Sequence, residues 1–302
     1  MKKIEVCFSC DDNYSKYATA AILSILDNKN SDEEYIFHIL HANLSQEVVE
    51  KFNKIQNVKL HQVQNEIFEP YFNNGVCKNV TIPTLYRLIL PSLLPDVDRI
   101  LYLDCDIAIL KSLAKLYEID LKPNQYAAAV HDLGYEGHME RMGFEQNDNN
   151  FYFNAGVILF DLNKMRADNI QDKLFDYLKN NYQKLSYSDQ DVLNAVLLGR
   201  VCPLDKEFNF ITPNFYFNNK RDITIAHFAG MKPWSIGFYN PYRAIFWKYL
   251  LMAGGSKLHY RKIMLWHNKF FQILLFLKFY PFFFTKKVHR DDFFKIVFGY
   301  SY

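Results

Sequence analysis

The sequence predicts an α/β fold: a mostly parallel sheet covered by helices. Strand-like and helix-like patterns alternate through the first third of the chain, the usual signature of such a sheet. Half of the 302 residues are hydrophobic and 17% are aromatic, enough for a large core and unlike a disordered chain. A pair of acids one residue apart follows a short apolar strand, and ligands of open α/β sheets sit beyond such strand ends. The length exceeds the usual domain size of roughly 100 to 200 residues, so one large core, or a core with an appendage, is expected.

Residues 4–9 read as a buried strand, and 17–26 carry apolar residues at helical spacing. Residues 35–40 form a second strand. Residues 44–55 form an amphipathic helix, with Ser45 as N-cap and Val48, Val49, Phe52 and Ile55 on one face. A third strand covers 58–63. Residues 84–94 read as a helix entered through Pro83 and closed by Pro95, and 99–103 as a short strand. The run 151–161 is aromatic and β-branched with Gly156 inside it, which marks a bulge or a close backbone approach. Residues 188–198 form a helix, with Ser188 as cap and Asp191 completing a variant capping box. Composition changes after Gly254-Gly255, so a boundary is placed there, between a body of residues 1–254 and a tail of 255–302.

A formal charge of +2 does not describe a nucleic-acid binder, so no nucleic-acid partner is expected. The charge is unevenly spread. Residues 1–254 hold 26 Lys and Arg against 31 Asp and Glu, whereas 255–302 hold nine against two. Five scattered cysteines argue against a disulfide framework and for a reducing cytoplasm. Cys7 and Cys10 lie three apart on a strand and therefore point to opposite faces, which argues against a zinc or redox pair. No A-x-A-like cleavage site ends an apolar run near the N-terminus, so export is not expected.

The sharpest chemical feature is Asp104-Cys105-Asp106. Two carboxylates at a strand end can jointly hold a hard divalent cation such as Mn²⁺ or Mg²⁺. A second element, His227-Phe228-Ala229-Gly230-Met231-Lys232-Pro233-Trp234, offers an imidazole, a glycine that lets a backbone N–H approach an anion, and a lysine charge.

These elements occur in one order with Ser9-Cys10-Asp11-Asp12-Asn13-Tyr14, Tyr86-Arg87-Leu88, Phe153-Asn154-Ala155-Gly156 and Ser188-Asp189-Gln190-Asp191. The set resembles glycosyltransferase family 8, retaining sugar-nucleotide enzymes that include bacterial lipooligosaccharide galactosyltransferases and glycogenin. The resemblance covers roughly residues 4–250. It implies a GT-A fold, with a Rossmann-like nucleotide-binding mixed sheet and flanking helices. It also implies Mn²⁺ (or Mg²⁺) bridging the protein and a UDP-sugar, and transfer of galactose or glucose to a glycan or glycolipid acceptor.

Residue by residue, the resemblance places Asp104, Asp106 and His227 on the metal, with Cys105 between the acids. Gly230 and Lys232 hold the phosphates. Many members have two residues between that glycine and lysine where only Met231 stands here, so this loop is one residue tighter. Ser9 contacts the base through its backbone, Asp11 and Asn13 read the uracil edge and ribose, and Tyr14 stacks on the ring. Arg87, Asp132, Asn154, Asp189 and Gln190 face the sugar, and Ala155 and Gly156 line the donor site. Gln190 is expected to position and stabilise charge, because an amide is a poor nucleophile.

The tail mixes its basic residues with Trp266, Phe270, Phe271 and the run 273–284, interrupted by Lys278 and Pro281. No stretch reaches the roughly 20 residues needed for a span. A basic aromatic segment suits an anionic membrane surface, so the expected location is cytoplasmic and peripheral to the inner face of the membrane. The competing expectation is a non-catalytic sugar-nucleotide-binding or membrane-docking module with a decayed site. A nucleotidyltransferase is disfavoured by the lack of a Gly-rich loop after the first strand.

Overall fold

The apolar run at the N-terminus forms β1 (Lys2–Ser9), the centre of a seven-stranded sheet in a computed structural model. The structure describes residues 1–72, 81–132, 137–145, 147, 150–211, 222–230, 232–235 and 242–266. The strand order is β3-β2-β1-β4-β7-β6-β8, with β2 Glu33–His41, β3 Val58–Gln62, β4 Arg99–Leu103, β6 Ala127–His131, β7 Phe153–Asp161 and β8 Val201–Leu204. Strands β3, β2, β1 and β4 are parallel, whereas β7 is antiparallel to both β4 and β6. The sheet is therefore mixed, with β3, β2, β1 and β4 as its parallel half.

The chain runs outward from β1 through β2 to β3 and returns on the other side of β1 as β4. Neighbouring parallel strands whose connections leave in opposite directions open a crevice at their carboxyl ends, the usual place for a ligand. A second sheet of three short strands, β5 Ile107–Ile109, β10 Ile225–His227 and β9 Phe210–Ile211, closes one side of that crevice.

Alternation along β1 divides the interior. Ile4, Val6 and Phe8 join one cluster, with Ala18, Ile22 and Ile25 of helix α1 (Asp12–Asn28), while Cys7 joins the other, with Leu88, Tyr102 and Ile158. Cys7 and Cys10 thus lie in different clusters, and burial raises the Cys10 thiol to about 12. Among the described residues, the other α-helices of eight or more residues are α2 Gln46–Asn53, α3 Ile170–Asn181, α4 Ser188–Val196, α5 Arg243–Met252 and α6 Lys257–Trp266.

Three local expectations are corrected. The helix expected over 84–94 starts as a 3₁₀ helix, Ile82–Ile89, and becomes α-helical only over Leu90–Leu93. Pro91 has no N–H to give the Arg87 carbonyl, as an α-helix would require. Ser188 is not the cap of α4. Tyr187 is, and Ser188 opens the helix at φ 45° with its side chain buried. Asp191 accepts from the backbone N–H of Ser186 and Tyr187 at 2.8 and 3.0 Å instead of completing a capping box. Ser45 is the cap of α2, but its side chain makes no capping bond. Its own N–H instead donates to Asp12 at 2.9 Å, joining α2 to the start of α1.

Past Gly254-Gly255, α6 packs back on the body, with Tyr260 against the core and its ring 5.7 Å from that of Trp247. Residues 267–302, which hold most of the basic aromatic tail, lie outside the described residues, as do Cys77 and Met231.

Candidate active site

The chain leaves β4 at Leu103 and turns through Asp104-Cys105-Asp106 into β5. Antiparallel pairing sets His227 opposite Ile107, and the Phe228 N–H donates to the Asp106 carbonyl at 2.9 Å. This register brings the imidazole to the acids: His227 Nε2 lies 3.8 Å from Asp104 Oδ2 and 3.7 Å from Asp106 Oδ1. One ligand atom from each of the three residues falls within 4.8 Å of the others.

Each acid divides its oxygens. Asp104 gives Oδ1 to Arg87 Nη2 at 2.8 Å, and Asp106 gives Oδ2 to Lys232 Nζ at 2.6 Å, so the other oxygen of each faces the centre. Burial alone would raise the Asp106 carboxyl, but the Lys232 charge and neighbouring His227 hold it well below the usual range. On the far side of the ring, Asn209 Oδ1 accepts from His227 Nδ1 at 2.8 Å. That bond puts the ring proton on Nδ1 and leaves the Nε2 lone pair pointing between the carboxylates. Two carboxylate oxygens and one imidazole nitrogen suit Mn²⁺ or Mg²⁺.

Gly156 makes room for this centre. A Cβ built there would meet His227 Cε1 at 2.2 Å and Asp104 Oδ2 at 2.8 Å, and the Gly156 carbonyl accepts from the Asp104 N–H at 2.8 Å. At Gly230 the constraint is conformational: a Cβ meets nothing within 4 Å, but φ is +80°.

Arg87 is 3% exposed and joins the two halves of the site. It pairs with Asp104 on one side and with Asp189 Oδ2 at 3.0 Å on the other, and donates to the Ala155 carbonyl. Its guanidinium lies 4.2 Å from the Tyr102 ring centroid. Burial raises the Asp189 carboxyl to about 7 despite Arg87, and the negative charge of Asp104 adds to the rise.

Asp132, Asn154 and Gln190 meet at the mouth of β7. Asp132 Oδ2 accepts from Gln190 Nε2 at 3.0 Å and from Asn154 Nδ2 at 3.2 Å, while Gln190 Oε1 accepts from the Ala155 N–H at 2.9 Å. Asn154 Oδ1 takes the Gly156 N–H at 3.0 Å and Asn209 Nδ2 at 2.9 Å. A continuous chain of amides therefore runs from Gln190 to His227.

A cavity of about 190 Å³ opens beside Asp104 and Asp106, and Ser9, Asp11, Tyr14, Arg87, Cys105 and Lys232 also line it. The Ser9 carbonyl accepts from Cys105 Sγ at 3.4 Å. Asp11 caps α1 by accepting the Tyr14 N–H at 2.9 Å, and the cap holds Tyr14 at the cavity wall. Tyr14 leans edge-on against Tyr17 and Trp234, whose rings stack on each other at 3.7 Å. Asn13 is exposed and does not line the cavity, because it occupies the outward position of the first helical turn.

Sequence reasoning missed Asn209. An asparagine set between Phe208 and Phe210 was the available signal, since a polar residue inside an apolar run needs a partner, and the structure buries it fully. It also missed the pair formed by Arg141 and fully buried Asp191, at 2.7 and 3.0 Å, which anchors the start of α4.

The sequence model described as glycosyl transferase family 8 matches residues 5–236. General stress protein A of Bacillus subtilis is 26% identical over 279 residues, 83% of this chain and 95% of that protein. A lipopolysaccharide 1,2-glucosyltransferase of Escherichia coli is 29% identical over 251 residues, 76% of this chain and 72% of that protein. Among solved structures, the galactosyltransferase LgtC in complex with donor and acceptor sugar analogues superposes with a TM-score of 0.74 at 27% identity. That match covers 85% of this chain and 99% of the other.

Proposed function

The chain belongs to glycosyl transferase family 8 and is related to lipopolysaccharide glucosyl- and galactosyltransferases, and from that premise we propose a retaining hexosyltransferase that uses a UDP-sugar and Mn²⁺ (or Mg²⁺). The acceptor is a lipid-linked or cell-surface glycan. The observation that carries this reading is the convergence of Asp104 Oδ2, Asp106 Oδ1 and His227 Nε2 beside the cavity.

A divalent cation bound by those three atoms supplies fixed positive charge against the departing diphosphate. The chain's own residues do the rest. Lys232, on the same wall, adds a point charge for the phosphates. Tyr14, backed by Tyr17 and Trp234, receives the uracil ring, and the Asp11 carboxylate accepts its N3–H. Gln190 is held at both ends of its amide by Asp132 and the Ala155 N–H, which orients it towards the sugar without making it a nucleophile. Arg87 bridges Asp104 and Asp189 and fixes the Ala155 carbonyl, so that the metal side and the sugar side keep one geometry.

The basic aromatic tail suits attachment to the inner, anionic face of a membrane, which would bring the site to a lipid-linked acceptor. No helix among the described residues is long and apolar enough to cross a membrane. Calorimetry tests the donor reading: UDP binding that needs Mn²⁺ supports it, and UDP binding that is indifferent to Mn²⁺ refutes it.

A further inference from the structure

The three peptide carbonyls that follow Lys232 are each held by a side chain from the C-terminal helices. Pro233 O accepts from Arg243 Nε at 2.6 Å and Trp247 Nε1 at 2.8 Å. Trp234 O accepts from His259 Nε2 at 2.8 Å, and Ser235 O accepts from Arg243 Nη2. The Ser235 N–H closes the turn on the Lys232 carbonyl at 3.0 Å. Pro233 has a fixed φ and restricts Lys232 before it to extended conformations. Trp234 is flattened on Tyr17, with the rings 8° from parallel.

Arg243 is 1% exposed. Burial lowers its pKa to about 10, which still leaves it charged near neutral pH. A buried guanidinium is costly unless its N–H groups find acceptors, and this one directs two of its nitrogens to the loop. His259 belongs to α6, beyond the boundary placed at residue 254, and is half-buried with its ring 5.6 Å from Trp247. Neither helix lines the cavity, yet together they fix the backbone that delivers the Lys232 ammonium to it.

We propose that Arg243, Trp247 and His259 are positioning residues for Lys232: by holding the carbonyls of residues 233–235 they pre-order the lysine for the diphosphate of the donor. The proposal rests on the reading that Lys232 meets that diphosphate. A lysine side chain has several free torsions, and anchoring its backbone reduces the ordering cost when the ligand binds. The clamp should therefore act on phosphate binding and leave nucleoside binding alone.

Calorimetry of the full chain with UDP and with uridine, both with Mn²⁺, separates the possibilities. His259→Ala should weaken UDP binding about three- to ten-fold, the range for one lost hydrogen bond, without changing uridine binding. His259→Gln, whose amide N–H can stand in for Nε2–H, should restore most of the loss. In a Lys232→Ala background, His259→Ala should have no further effect on UDP. Arg243→Lys, which keeps the charge and loses the fork, should act in the same direction as His259→Ala. Equal weakening of UDP and uridine, or a His259→Ala effect that adds in full to Lys232→Ala, overturns the clamp and leaves the diphosphate reading standing. UDP binding unchanged by Lys232→Ala alone overturns the diphosphate reading, and the clamp with it.

Discussion

Gly156 and His227 are in such close contact that a single carbon on the glycine would lie 2.2 Å from the imidazole Cε1. β7 runs antiparallel to β4, and its backbone at Gly156 lies against Asp104 Oδ2 and the His227 ring. The absence of a side chain at one position therefore sets the spacing of the candidate centre.

Gly156→Ala should displace His227 or Asp104 from the centre and lower turnover by about 100-fold, the scale of a misplacement of roughly an ångström. The far-ultraviolet circular dichroism should be unchanged, because the clash is with side-chain atoms. Measuring turnover and Mn²⁺ affinity together checks this, and a variant with wild-type values for both would refute the spacing argument.

Asp189 predicts a pH dependence of stability that differs from that of the other acids. Its carboxyl is raised from an ordinary 3.8 to about 7 in the folded protein, first by burial. A raised acid stabilises the fold fully below the unfolded pKa, and that contribution disappears as pH climbs through the folded value. Asp106 and Asp191 are lowered and act in the opposite sense, but only below about pH 4. Burial lowers His41, His61, His131 and His138, which adds stability as pH rises over the same range, so the Asp189 share is read by difference: the melting temperature of the metal-free protein relative to that of Asp189→Asn should fall between pH 4 and 7.

Much of this arrangement was legible in the sequence because it depends on local pattern. The short apolar runs at 4–9 and 35–40 marked β1 and β2, and two acids closing an apolar strand marked the site. The second sheet was not legible as a unit. Its strands, Ile107–Ile109, Phe210–Ile211 and Ile225–His227, are too short for a period of two to register. Asn209 was hidden for a related reason, since its partner His227 is brought to it only by the pairing of β9 with β10. The left-handed Ser188 and the 3₁₀ start at Ile82 follow from tertiary packing and from Pro91, which a helical reading of 84–94 overlooks.

If Asp11 and Tyr14 read the base as proposed, they set its selectivity. Uracil presents an N3–H to a carboxylate, whereas cytosine presents a lone pair that the carboxylate repels. UDP should bind at least about ten-fold more tightly than CDP, and Asp11→Asn should narrow that gap, because one charge-assisted hydrogen bond is at stake. Equal affinities in competition calorimetry would remove Asp11 from base recognition.

Two truncations should give different results. Ending the chain after residue 266 keeps α6 with His259 and Tyr260 in place, so donor binding should survive while attachment to phosphatidylglycerol vesicles at low salt is lost. Ending it after residue 254 also removes the His259 bond to Trp234 and uncovers Trp247, so UDP affinity and melting temperature should both fall. Equal vesicle sedimentation of the full chain and the 266 truncation would refute the membrane role of the tail.

The central claim is that Asp104, Asp106 and His227 hold a divalent cation on which sugar transfer from UDP depends. Turnover of a panel of UDP-hexoses with Mn²⁺, then with excess EDTA, then with Mn²⁺ restored, tests it directly, with Asp106→Asn as the matched variant. The account predicts turnover of UDP-galactose or UDP-glucose that stops in EDTA, returns with Mn²⁺ and is absent in the folded variant. Undiminished turnover in EDTA, or an Asp106→Asn enzyme with the wild-type rate, would contradict it.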